Sequence, residues 1–264
     1  MKKIRVDILL VQRGLIDSQS KAQRLVMAGQ VRVNGEIVLK PSVAVSKNAS
    51  IEIKPSPEYV SRGGKKLIAA LYEFNVQVEG LVCADVGAST GGFTDCLLQH
   101  GATRVYAIDV GYGILHWKLR NDERVVVLER TNARYLESLP EPVSLVTVDA
   151  SFISLNYLLP MIKNWFKDQS GRVIALIKPQ FEARREQARI GGGVIWDEAV
   201  HIEVLERVLQ EAGRMGYVLK GLIASPLRGP KGNIEFLADL RINCEAGIIN
   251  LEAVISGAIG GASG

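Results

Sequence analysis

Residues 81–94 read LVCADVGASTGGFT, and this stretch decides the fold class. An apolar run from Leu81 to Ala84 ends on Asp85, and a loop with Gly87, Gly91 and Gly92 follows. A helical pattern then begins near Phe93, with Cys96, Leu97 and Leu98 on its apolar side. A buried strand, a glycine turn and a helix N-terminus form a nucleotide-sized pocket, because glycines let the backbone approach a ligand closely. The spacing is not GxGxxG, and the strand ends on a carboxylate, which repels a dinucleotide pyrophosphate. A cationic ligand, such as the sulfonium of S-adenosylmethionine (AdoMet), is favoured instead.

The same residues fit a second pattern. Gly87-Ala-Ser89-Thr-Gly91 matches the GxSxG nucleophile elbow of serine hydrolases, and Ser89, Asp149 and His201 fill the hydrolase order. That fold needs several strands before the elbow, and only a small basic segment precedes it here. His201 also falls among Val200, Val204, Leu205, Val208 and Leu209 on an apolar helix face. Ser89 is therefore read as a loop residue bonding ligand or backbone.

Beyond the turn, strands and helices alternate. Strands are predicted at 81–86, 104–109, 125–128, 144–149, 172–178, 217–224 and 234–242. Helices are predicted near 64–74, 92–100, 111–120, 153–166 and 197–212, the last with Asp197 as N-cap and Gly213 as stop. This alternation specifies an α/β fold, a mostly parallel Rossmann-like sheet with helices on both faces.

The N-terminal segment differs in kind. Two short helices are predicted, from Val6 to Arg13 and from the Asp17-Ser18 cluster to Gly29, followed by a hairpin at Val31–Val33, Asn34-Gly35 and Ile37-Val38. Ile51-Glu-Ile53 adds a strand, making a small α+β domain over 1–54. Lys54-Pro55-Ser-Pro57 reads as a stiff linker, so 55–60 is the connection, 61–245 the second domain and 246–264 a tail, fraying from Gly257. Residues 1–60 hold ten Lys or Arg against five Asp or Glu, a net of +5, whereas the whole 264-residue chain nets +4. Neutralising five phosphates of single-stranded RNA would give a salt slope of about −3.5, or roughly hundredfold weaker binding for a fourfold rise in salt. Arg5, Arg13, Lys21, Arg24, Arg32 and Lys40 are the candidate RNA contacts.

No apolar run approaches a membrane span, and Asp7, Gln12 and Arg13 interrupt the only signal-like patch, so export is rejected and a cytoplasmic location expected. Cys83, Cys96 and Cys244 lack CxxC spacing and read as buried thiols; no metal site is expected.

Polar residues cap the apolar strands. LVCAD, VYAID, SLVTVD and RVIALIK place Asp85, Asp109, Asp149 and Lys178 at the carboxyl ends, where such sheets bind ligands. One strand-tip Asp is ordinarily a helix cap; three with a Lys on one rim exceed that explanation. Asp109 stands 18 residues past Gly91, like an acid that holds a ribose. Burial and a neighbouring cation would make Lys178 a possible base. Lys65 or Lys66, in SRGGKKL, and Glu235, in NIEFL, can converge on it by topology.

These motifs together carry a resemblance. RVDILLVQRGL, AQRLVMAGQVRVNG and the following KPS resemble an RNA-binding domain of the ribosomal-protein-S-four type. YVSRGGKKL, DVGASTGGFT, VDASFISL, IKPQFE and GNIEFL resemble the FtsJ-like methyltransferase domain. In this order the two resemble the TlyA, or hemolysin A, family of AdoMet-dependent ribosomal RNA cytidine 2′-O-methyltransferases. The resemblance implies a catalytic set of Lys66, Asp149, Lys178 and Glu235. It implies AdoMet contacts at Asp85, Gly87, Ser89, Gly91, Asp109 and Asn132, the last near the adenine. Gln19 stands where the family's first domain usually has Arg, and Arg184 and Trp196 depart from its usual residues near the substrate loop.

The activity so implied is methyl transfer to a ribose hydroxyl, with Lys178 kept partly neutral by Lys66 and burial. The acceptor is ribosomal RNA or a ribosomal subunit, with no membrane and no obligate protein partner. Amine methylation is disfavoured because no DPPY-like turn follows strand 144–149, and carbon methylation because Cys83 and Cys96 sit inside elements. A membrane-active hemolysin and a non-catalytic RNA-binding factor are the alternative classes.

Overall fold

The computed structural model describes residues 3–54, 57–245 and 250–262. The chain divides into two units, Met1–Glu58 and Tyr59–Gly264. The first contains β1 (Lys3–Arg5), α1 (Val6–Gln12), α2 (Gln19–Met27), β2 (Val31–Val33), β3 (Glu36–Ile37), β4 (Ala44–Ser46) and β5 (Ile51–Ile53). Its core joins Val6, Leu9 and Leu10 to Val26, Val31, Val33 and Val45. Asn34 and Gly35 take positive φ in the hairpin turn, as Asn-Gly allows. Ser18 accepts the Lys21 amide at 3.4 Å and starts α2. The antiparallel pair β1–β4 was not predicted, being only three residues a side. Of the expected linker, Pro55 and Ser56 lie outside the described residues.

The second unit continues with α3 (Gly63–Glu73), β6 (Val82–Val86), α4 (Gly92–Gln99), β7 (Arg104–Ile108), α5 (Trp117–Arg120), β8 (Val125–Leu128) and β9 (Leu145–Val148). Then come α6 (Leu155–Ile162), β10 (Gly171–Ile177), α7 (Pro179–Glu182), α8 (Arg185–Ile190), α9 (Glu198–Arg214), β11 (Tyr217–Ala224), β12 (Phe236–Ile242) and α10 (Leu251–Ala262). The sheet order is β11-β12-β10-β9-β6-β7-β8. Strands β8, β7, β6, β9 and β10 run parallel, and β12 is antiparallel to both β10 and β11. The chain leaves β6 for β7 on one side and returns to β9 on the other, a switch point that opens a crevice at the carboxyl ends. Leu158, Leu159, Val204 and Leu205 cover one face of the sheet, and Leu67, Leu71, Phe93 and Leu97 the other.

Three expectations change. Residues 111–116 are not helical, since Gly111 and Gly113 (φ +72°) make turns before α5. Gly213 stays in α9; Gly216, at φ +88°, ends it. The tail does not fray over 257–262: α10 buries Ile255 and Ile259, spaced one turn apart, in the core.

Candidate active site

The glycine turn is built by close approach. Gly87 adopts φ +82°, and a Cβ there would lie 2.7 Å from the Asp149 carbonyl oxygen. The amides of Gly87 and Ala88 both donate to Ile108 O, at 2.9 and 3.1 Å. The turn after β6 is thus clasped between the ends of β7 and β9. Gly92 does the same for two helices, where a Cβ would overlap Ser61 Oγ and lie 2.9 Å from the Gly64 amide. That contact draws the start of α3, and Lys66 with it, against the N-terminus of α4.

The resulting cavity is ≈ 660 Å³, within the range of ligand sites. Its lining includes Gly87, Ser89, Lys66, Asp149, Lys178 and Glu235, so the four expected catalytic side chains converge. Register explains part of this. Ile177 pairs with Phe236 across β10–β12, which sets Lys178 and Glu235 beside each other at the rim. Lys178 Nζ lies 2.5 Å from Asp149 Oδ1 and also donates to Ser151 Oγ at 3.1 Å. Lys66 Nζ lies 2.5 Å from Glu235 Oε2. Each lysine thus faces its own carboxylate. Both pairs are largely removed from water, with Glu235 only 2% exposed.

Arg62, Arg228 and Lys231 line the same cavity and leave it net positive, suited to a polyanion. Phe152 and Phe181 add two rings 4.8 Å apart. Sequence reasoning missed Ser61, Arg62, Gln180 and Asn233. The SRGGKK glycines were the available signal for the first two, because they mark a close backbone approach.

Several expected cofactor residues sit differently. Asp85 is fully buried and absent from the cavity lining. Its carboxylate accepts from Thr94 Oγ1 at 2.7 Å and Thr147 Oγ1 at 3.1 Å, joining α4 to β9. Burial pushes its pKa up to about 7, against the Thr94 hydrogen bond and with help from the Asp149 charge. In this structure its hydrogen bonds fix the turn to the neighbouring elements. Gly91 opens α4 at φ +96° without lining the cavity. Asp109 accepts from the amides of Ser89 at 2.8 Å and Gly111 at 2.7 Å, and lines a small adjoining slot with Ser89. Asn132 is exposed and caps the turn at Ala133–Tyr135 by accepting from the Arg134 amide at 3.0 Å; it lines neither hollow.

The hydrolase arrangement does not form. His201 is buried, stands edge-on to Phe236 at 5.8 Å between ring centres and does not line the cavity. Burial lowers its pKa. Cys83 and Cys96 are buried as expected, and burial pushes the Cys83 thiol up to about 12. Cys244 is partly exposed.

In the N-terminal unit the six candidate cations divide into two groups. Arg5 is held by buried Asp7 at 2.8 Å, and Arg13 donates to the carbonyls of Ala49 at 2.7 Å and Lys47 at 2.5 Å. Arg32 donates to Gly35 O at 3.0 Å. Lys21, Arg24 and Lys40 are exposed, Lys21 with an exposed Asp17 at 3.0 Å. Gln19, in place of the expected Arg, donates to Asp7 at 3.1 Å and serves the fold. Burial alone would raise the Asp7 pKa, but hydrogen bonds from Arg5, Gln23 and Gln19 outweigh it and hold the carboxyl well below the usual range.

The FtsJ-like methyltransferase family model matches residues 59–241, and the S4 domain model matches residues 4–51. YqxC of Bacillus subtilis, whose own assignment as an rRNA methyltransferase is provisional, is 48% identical over 90% of this chain and 86% of its own. The 16S/23S rRNA (cytidine-2′-O)-methyltransferase TlyA of Mycobacterium tuberculosis is 45% identical over 91% of this chain and 90% of its own. A solved structure from Streptococcus thermophilus, whose own assignment as a hemolysin is provisional, superposes with a TM-score of 0.74 at 43% identity, covering 100% of this chain and 98% of that one.

Proposed function

The chain belongs to the FtsJ-like methyltransferase family, and we propose that it methylates the 2′-hydroxyl of a cytidine in ribosomal RNA, with AdoMet as donor. The observation that carries this reading is the convergence of Lys66, Asp149, Lys178 and Glu235 on one cavity beside the glycine turn. The cavity fits AdoMet: Gly87 leaves a cradle that a Cβ would fill, at 2.7 Å from the Asp149 carbonyl. Gly87, Ala88 and Ser89 would hold the cofactor, and Asp109, at the adjoining slot, would hold its ribose. When bound, AdoMet supplies an electrophilic methyl group.

This chain's residues do the rest. Lys178 donates to the ribose oxygen, and Asp149, 2.5 Å from Lys178, receives the hydroxyl proton. Asp149 keeps some access to the cavity, at 23% side-chain exposure, as a proton acceptor must. Lys66 and Glu235 hold the nucleotide from the other wall. Fixing the hydroxyl in line supplies about 7–11 kcal/mol of the barrier reduction. The target nucleotide is single-stranded or flipped, because a stacked ribose could not enter the cavity. The cations of the N-terminal unit, Lys21, Arg24 and Lys40 foremost, capture the RNA backbone, in keeping with work on cytoplasmic ribosomes.

Among the described residues no helix is long and apolar enough to cross a membrane, so the lytic reading finds no support there. The test is Lys178→Ala. AdoMet binding by calorimetry should persist while methyl transfer falls by at least ~100-fold, the usual scale of a proton-transfer group. Near wild-type turnover would remove Lys178 from the mechanism.

A further inference from the structure

Glu235 has its two oxygens committed to different donors. Oε2 lies 2.5 Å from Lys66 Nζ, and Oε1 accepts from Gln180 Nε2 at 3.3 Å. Gln180 is the second residue of α7, two past Lys178, and lines the same cavity. The other half of its amide is unmatched: Oε1 is closed off from water and accepts no hydrogen bond among the described residues. The two ends of that amide are not interchangeable here. A carboxylate only accepts, so the NH₂ group must face Glu235 and the carbonyl must face away.

An enclosed acceptor without a partner lowers stability, and Leu or Met at this position would avoid the penalty. An amide standing where an apolar residue would avoid that penalty is a local conflict of the kind found at functional sites. The gain lies at Glu235, which without Gln180 would be held by Lys66 alone.

We propose that Gln180 is a positioning residue that fixes the Glu235 carboxylate and, through it, Lys66. The inference rests on the methyl-transfer reading above. It extends the set of Lys66, Asp149, Lys178 and Glu235 by a member that carries no charge and takes no proton. Because the amide acts by orientation, its removal changes the catalytic step rather than cofactor affinity.

The experiment compares full-length wild type, Gln180→Leu and Gln180→Glu in transfer of labelled methyl from AdoMet to ribosomal subunits, with thermal unfolding of each. Gln180→Leu should lower kcat by at least ~10-fold, leave KM for AdoMet within about twofold, and leave Tm unchanged or raised. A merely structural role would lower Tm instead. Gln180→Glu sets a second carboxyl beside Glu235. Protonated, it donates the same hydrogen bond as the amide; ionised, it repels Glu235. Its kcat relative to wild type should therefore rise at least ~5-fold as pH falls from about 8.5 to about 6.

Wild-type kcat in Gln180→Leu, a loss explained by a lower folded fraction, or a pH-independent ratio in Gln180→Glu would each overturn the proposal. Wild-type protein that transfers no methyl would overturn the functional reading as well. An active wild type with indifferent variants overturns this inference alone.

Discussion

Lys66 and Glu235 meet at 2.5 Å although 169 positions separate them. One comes from the first turn of α3, the other from the residue before β12. Sheet order makes the meeting possible, since β12 inserts antiparallel beside β10 and starts at the rim where the parallel strands end. Removing one partner leaves a buried charge uncompensated. Lys66→Met should destabilise the second unit by about 3 kcal/mol, whereas Lys66→Met with Glu235→Leu should recover most of that loss and no activity. Urea unfolding beside a methyl-transfer assay reads both quantities.

Gly87→Ala should be severe for two reasons. The φ of +82° costs an L-residue about 1–2 kcal/mol, and the added Cβ would sit 2.7 Å from the Asp149 carbonyl. AdoMet affinity measured by calorimetry should fall together with Tm. Unchanged affinity would show that the turn does not hold the cofactor.

The buried carboxyl of Asp85 gives a pH prediction with a definite sign. Burial raises its folded pKa from the ordinary aspartate value of 3.8 to about 7. Between those values the folded chain binds the extra proton, so this contribution to stability is present at low pH and lost as pH rises toward 7. Asp85→Asn should flatten that part of the stability profile, read by urea unfolding at several pH values. Asp7 runs the other way: its lowered pKa means the N-terminal unit loses stability on acidification.

Cations of the N-terminal unit should separate by role. Lys40→Ala or Arg24→Ala should weaken RNA binding uniformly and reduce the salt slope by about 0.7 each, with little change in folding. Arg13→Ala should instead lower the stability of the unit, because Arg13 ties α1 to the carbonyls of Lys47 and Ala49. Filter binding across a salt series, with circular dichroism melts, distinguishes the two groups.

Much of this architecture was legible before any coordinates. Strands at 125–128 and 217–224 fall as predicted because apolar runs between turn signals are local information. So is the launch of α9 by Asp197. What was not legible depended on neighbours far along the chain. Asp85 reads as a ligand-facing strand tip, yet Thr94 and Thr147 donate to its two oxygens, and only the packing of α4 and β9 brings them there. Asn132 reads as a cofactor contact and spends its side-chain oxygen on a local cap. The tail reads as loose because of its glycines, but Ile255 and Ile259 find a core that the sequence pattern does not display. Gln180 carries no chemistry of its own and becomes visible only through Glu235.

The most direct measurement incubates the full chain with methyl-labelled AdoMet and unmethylated ribosomal subunits, digests the RNA, and identifies the labelled nucleotide. Label is expected on a cytidine 2′-oxygen, recognised by a phosphodiester resistant to alkali. Label on a base, or no incorporation with AdoMet bound, would contradict it.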